Sequence, residues 1–158
     1  MNYLTKRQSY WIIGLIPALA ILLGGFIYVF LRPVEPLFMN WARMTGLNAF
    51  INLIRPDPTA SITAFPDWIV YSLPGALWAF AYALFIIRIW ADSGHWIRYF
   101  WLSTIPILVI GFEILQYPGI IPGTFTAHDL LASILGSLAG VTFGIKSKKI
   151  SNHENNIH

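Results

Sequence analysis

The chain reads as all-α: a polytopic membrane bundle of four transmembrane helices, with a further helix in the outer interface between the first and the second. Three observations carry this. Of 158 residues 56% are hydrophobic and 16% aromatic, only 11% are charged, and the mean hydropathy is positive, far from a soluble domain. Four segments are apolar over about the 20 residues that a helix needs to cross a hydrocarbon core of about 30 Å. The lysines and arginines collect at or near the ends of those segments. The absence of cysteine excludes a disulfide framework, a thiolate metal site and a cysteine nucleophile.

The first segment, Trp11–Leu31, is uncharged and bounded by Lys6-Arg7 and Arg32. Ala18-Leu19-Ala20 imitates a signal-peptidase site, but the apolar run continues beyond it, so an uncleaved anchor is expected. Pro33 to Pro66 is neither a crossing nor a flexible linker. Within it, Leu37–Ile54 is apolar but broken by Asn40, Arg43, Asn48 and Asn52, with Thr45, Asn48 and Asn52 on one helical face, which predicts a helix lying in the interface. Arg55-Pro56-Asp57-Pro58 then ends it, because proline removes amide donors and disfavours helix before it. The second crossing spans Trp68–Trp90 with Pro74 and Arg88, the third Tyr99–Gln116, and the fourth Leu130–Ile145. That last segment is short and is expected to draw Phe125 to Asp129 into its first turn. Residues 1–145 thus make one transmembrane domain and 146–158 a basic, polar cytoplasmic tail.

Orientation follows from the basic residues. With four crossings, one side collects Lys6, Arg7, Arg88, Arg98, Lys146, Lys148 and Lys149, and the other holds Arg32, Arg43 and Arg55, so both termini are expected in the cytoplasm. The tail Lys146-Ser147-Lys148-Lys149 reads as a stop-transfer signal and lipid-surface anchor rather than a nucleic-acid site.

Small residues mark helix contacts. Ala132, Gly136, Gly140 and Gly144 recur every four residues in the fourth segment, and Gly75, Ala79 and Ala83 in the second, so each forms a face that lets another backbone approach, within the bundle or between protomers. Ser133 and Ser137 flank the first stripe and are expected to hydrogen-bond across the seam.

Polar residues converge on the outer side. Glu113 is the one acid inside a long apolar segment, and Gln116, three residues on, shares its face. An ionisable group at membrane depth reads as functional by default; the structural alternative is a hydrogen bond to Gln116 and a neighbouring helix. Asp129 heads the fourth segment and Asp67 the second, positions where a carboxylate suits the helix dipole and caps free amides. His128 reads as an interfacial histidine rather than a metal ligand, which would need converging partners. Topology brings Glu113, Gln116, His128, Asp129 and Asp67 to one membrane face.

Glu113-Ile114-Leu115-Gln116, followed after a Pro/Gly-containing loop by Phe125-Thr126-Ala127-His128-Asp129-Leu130-Leu131 and the glycines Gly136 and Gly140, resembles the signature of VanZ-like membrane proteins. In that family a glutamate and glutamine end one helix, and Arg-x-Phe-Asp-x-x-Asp-Leu-Leu-x-Asn-x-x-Gly-x-x-x-Gly opens the next. The likeness covers 113–140. The family's arginine falls on Gly123, its first aspartate on Thr126 and its asparagine on Ser133, while an earlier Asp-Lys-x-x-His pattern keeps only Asp67. Glu113, Gln116, Phe125, Asp129, Gly136 and Gly140 carry over. The resemblance implies a bacterial plasma-membrane location, an envelope role and a link to teicoplanin susceptibility, without supplying a reaction.

The expected function is a non-enzymatic, outward-facing polar pocket for a lipid head group or cell-wall precursor, lined by Glu113, Gln116, Asp129, His128 and Asp67, with no cofactor required: Glu113 and Asp129 accept hydrogen bonds from hydroxyl or amine groups or hold a divalent cation that bridges to phosphate, and without that cation a phosphate needs a protonated Glu113 or a cationic partner such as Arg55. Two alternatives stand beside it. One is a membrane enzyme on lipid-linked substrates, with Glu113 as base and His128 as partner; the other is a subunit of an oligomeric proton-coupled transporter.

Overall fold

The computed structural model describes residues 3–32, 43–47, 49, 53, 65–120 and 126–156. Within them lie five helices and no strand: α1 (Tyr3–Phe30), α2 (Asp67–Tyr71), α3 (Leu73–Trp90), α4 (Ile97–Gln116) and α5 (Ala127–Asn156). Three helical stretches, Leu73–Trp90, Ile97–Gln116 and Ala127–Ser147, are long and apolar enough to cross a membrane, and Gly14–Phe30 of α1 is a shorter apolar stretch.

The helices outrun the apolar segments wherever polarity, rather than backbone chemistry, set the expected limit. α1 begins at Tyr3, ahead of Lys6 and Arg7, and α5 continues past Lys146 into the tail without a break, since lysine and arginine are good helix formers. The crossing expected as one helix from Trp68 is divided at Ser72 into α2 and α3. Proline chemistry explains the division. Pro74 has no amide hydrogen to give the carbonyl of Val70, four residues back. Arg32 supplies donors instead, Nε to Val70 O at 3.4 Å and Nη2 to Tyr71 O at 3.0 Å, with its guanidinium over the rings of Tyr28 (4.5 Å) and Tyr71 (5.6 Å). A cation at the carbonyl end of a short helix also suits its dipole.

The interfacial helix expected over Leu37–Ile54 lies mostly outside the described residues. Thr45–Leu47 form a turn, with Gly46 at φ 75° and its amide on Arg43 O at 3.3 Å. A continuous helix is therefore interrupted there.

α3 is the central element. Ala79, Ala81, Ala83, Leu84, Ile86 and Ile87 are buried, and its longest seam is with α5. Along that seam a Cβ on Gly136 would overlap the Ala76 carbonyl, one on Gly140 the Phe80 carbonyl, and one on Gly144 would come to 2.8 Å of Ile87 Cγ2. Gly75 faces Ser133, and Ala83 packs into the same contact at Gly140. Both small-residue stripes thus meet inside the chain, and the α5 stripe is covered by α3 rather than left for a second copy. Ser137 does not bridge the seam as expected: its hydroxyl donates to Ile134 O of its own helix at 2.8 Å. α1 runs antiparallel to α3, with Gly24 against Trp78 and the Trp78 indole donating to Ile21 O at 3.3 Å.

α4 is held more loosely. Ile105 is its buried residue, joined by a Tyr82–Thr104 hydroxyl contact of 2.6 Å and a stacked Trp90–Trp101 pair at 5.6 Å. Phe100, Ile107, Leu108, Phe112 and Ile114 face outward from the chain.

Candidate functional site

At one end of the bundle lie the break before α3, served by Arg32, and the end of α4 and the start of α5, each served by its own local residues. α4 closes in a Schellman arrangement: Gly119 takes φ 75°, its amide reaches Gln116 O at 2.9 Å, and the Ile120 amide reaches Leu115 O at 3.1 Å. α5 is opened by Thr126, whose Oγ1 accepts the Asp129 amide at 3.1 Å.

The amide-capping role expected of Asp129 therefore belongs to Thr126, while Asp129 keeps its favourable place in the first turn for the dipole. Its side chain is used otherwise. Ser72 Oγ donates to Asp129 Oδ1 at 2.6 Å, tying the α2–α3 junction to α5. A carboxylate offers about four lone-pair sites, so this bond leaves acceptor capacity to spare.

Glu113, in the last turn of α4, lies within electrostatic reach of Asp129. Its Oε2 is buried and has no hydrogen-bond partner among the described residues. The structural alternative for Glu113, a bond to Gln116 and an adjacent helix, leaves that oxygen unexplained. A buried polar atom without a partner is costly enough to require an account.

None of the remaining expected residues is joined to these two carboxylates by a side-chain hydrogen bond among the described residues. Gln116 is half-buried at the end of α4, and its carbonyl serves the Gly119 cap. His128 is exposed beside Asp129, and Asp67 is exposed at the start of α2. Phe125 and Arg55 lie outside the described residues. Among the described residues no group of three or more His, Asp or Glu is placed to hold a metal ion, so the bridging cation has no ready-made cage.

Below the carboxylates, between α3, α4 and α5, lies an apolar cavity of about 430 Å³, lined by Leu102, Pro106, Val109 and Ile110 of α4 and by Ile134 and Leu138 of α5 among others. Ile110 is one helical turn from Glu113. At the opposite end Arg88 is buried and donates from Nη1 to Ser147 Oγ at 3.2 Å, so the tail's first turn is fastened to α3.

No family model, curated protein or solved structure matches this chain. The site is therefore read from its own geometry.

Ser72, Thr126 and Arg32 are the residues that sequence reasoning missed. Thr126-Ala127-His128-Asp129 has the Thr-x-x-Asp spacing of a helix start and was readable as such. Ser72 stood inside an assumed continuous helix, so nothing marked it. Arg32 was counted only as a flank.

Proposed function

We propose that this chain is a VanZ-like, non-enzymatic protein of the bacterial plasma membrane whose carboxylate end holds the head group of a lipid or lipid-linked envelope precursor. In this reading α1 and the α2–α3 unit supply the first two of four crossings, the stretch from 33 to 66 lies along the outer interface, and both termini are cytoplasmic. The seven-to-three distribution of lysine and arginine between the two sides supports that orientation. Glu113, Asp129 and Ser72 then face the outer leaflet, where envelope intermediates are presented, and a change in their handling would register as altered teicoplanin susceptibility.

The observation that carries the reading is the buried Glu113 Oε2 with no partner, beside an Asp129 whose direction is fixed by Ser72. The α2–α3 junction and the start of α5 are tied through Ser72 and Asp129, with Glu113 in the last turn of α4, and capping does not require these carboxylates, because Thr126 and Gly119 already serve the ends of α5 and α4. Such acceptors suit ammonium or hydroxyl donors.

Native mass spectra of gently extracted protein test this. Wild type is expected to carry a bound lipid that Glu113→Gln and Asp129→Asn lose; spectra identical for all three refute the reading. Reporter fusions at both termini check the orientation, and a reporter active only outside the cytoplasm at either end would contradict it.

A further inference from the structure

The cavity and the carboxylate pair have complementary chemistry along one line. Its apolar lining is interrupted by Ser137, and that hydroxyl is spent on Ile134 O, so the wall offers water little to bond. Apolar cavities of about 150 Å³ already stay dry and take up hydrocarbon, and ligand pockets run from about 300 to 1,000 Å³. A cavity of about 430 Å³ falls within that range.

Its shape agrees with one occupant. Pro106, Ile110 and Leu138 are exposed as well as lining, so the cavity has a lateral opening between α4 and α5, on the face that a membrane-spanning bundle turns to lipid. From Glu113 to Leu102 is eleven residues of α4, or about 17 Å of helix rise. One leaflet of a hydrocarbon core measures about 15 Å, half of the whole. A chain whose head rests at Glu113 therefore reaches along the cavity to about the depth an acyl chain occupies in its own leaflet.

Charge selects the head. Two carboxylates at one end repel a head group of net negative charge, whereas a primary ammonium brings one positive charge and three donors to the acceptors of Glu113 and Asp129. We propose that the cavity between α3, α4 and α5 takes an acyl chain of a phosphatidylethanolamine-type lipid whose ammonium is held by Glu113 and Asp129. This rests on the head-group reading above and adds the lipid class and the seat of its chain. The lipid enters laterally, past the loosely held α4, and no bond is made or broken.

The test uses the full-length protein in nanodiscs doped with a phosphatidylethanolamine bearing a diazirine midway along one acyl chain. Illumination followed by peptide mapping is expected to label Val109, Ile110 and Leu138 above the outward faces of α1 and α4, and phosphatidylglycerol should compete about tenfold less well than unlabelled phosphatidylethanolamine. Glu113→Gln and Asp129→Asn should abolish that preference, and Ile110→Trp, which fills the cavity from its exposed wall, should abolish the focused labelling. Labelling spread evenly over all lipid-facing residues overturns the seat in the cavity. Equal competition by the two lipids in wild type overturns the amine class. If head-group binding survives in the native mass spectra while the cavity stays unlabelled, the proposed function stands and this proposal falls; if the carboxamide variants change neither measurement, both fall.

Discussion

Replacing Gly136 with alanine adds one carbon, and the structure says where it goes: onto the backbone carbonyl of Ala76 in α3. A carbonyl inside a helix cannot rotate away as a flexible side chain can, so α3 and α5 must separate. Overpacking of this kind costs about 1–3 kcal/mol. Against it stands a gain of about 0.8–1 kcal/mol from replacing glycine by alanine within a helix. The net expectation is a loss of up to about 2 kcal/mol for Gly136→Ala, and the same for Gly140→Ala, whose new carbon would meet the Phe80 carbonyl. Gly111→Ala on α4 is the control, because nothing lies within 4 Å of its added carbon, so it should leave stability unchanged or raise it by up to about 1 kcal/mol. Reversible unfolding in mixed micelles of rising SDS fraction, followed by far-UV circular dichroism, gives the comparison directly. Equal stability of Gly136→Ala and Gly111→Ala would refute the close α3–α5 seam, and with it the placement of Ser72 against Asp129.

Three further substitutions probe the contacts that position the site. Ser72→Ala removes the donor at 2.6 Å from Asp129 and should destabilise by about 1.5–3 kcal/mol in the same SDS titration; a loss below a few tenths would mean that the bond is not made. Arg32→Gln leaves the Val70 and Tyr71 carbonyls short of charged donors and should increase hydrogen exchange of the α2 amides; unchanged exchange would contradict the Pro74 account. Tyr82→Phe deletes the hydroxyl contact to Thr104 and should cost about 0.6–1.7 kcal/mol while loosening α4, seen as faster exchange of its amides relative to those of α5. Uniform change in both helices would show that Tyr82 does not act on α4 in particular.

The helical class was legible because membrane-length apolar runs admit few other structures. Helix ends were less so. Polarity predicted where the apolar runs stop, but Lys6, Arg7 and Lys146 stop no helix, and so α1 and α5 run on. The break at Ser72 was encoded in Pro74, yet proline near a helix start is as often accommodated as disruptive, and the residue that compensates for it, Arg32, lies 42 positions away in sequence. Spacing alone did place Gly136 and Gly140 on one face, because a fourfold recurrence of small residues has few other uses in a membrane helix. Within the site, sequence supplied Glu113 and Asp129 through their types and topology. It could not supply Ser72, which depends on where the α2–α3 break meets α5, or the cavity, which arises from how far α4 stands from α3 and α5; no local pattern records either.

The most direct measurement of the central claim, that the carboxylate end holds a lipid head group, is a titration of short-chain phosphatidylethanolamine into the detergent-solubilised protein, comparing wild type with Glu113→Gln. Loss of one charge-assisted contact at a buried oxygen should weaken binding by at least about tenfold. An unchanged affinity would return Glu113 to the role of a membrane-buried polar residue with no ligand to meet, and the account of the site would fail.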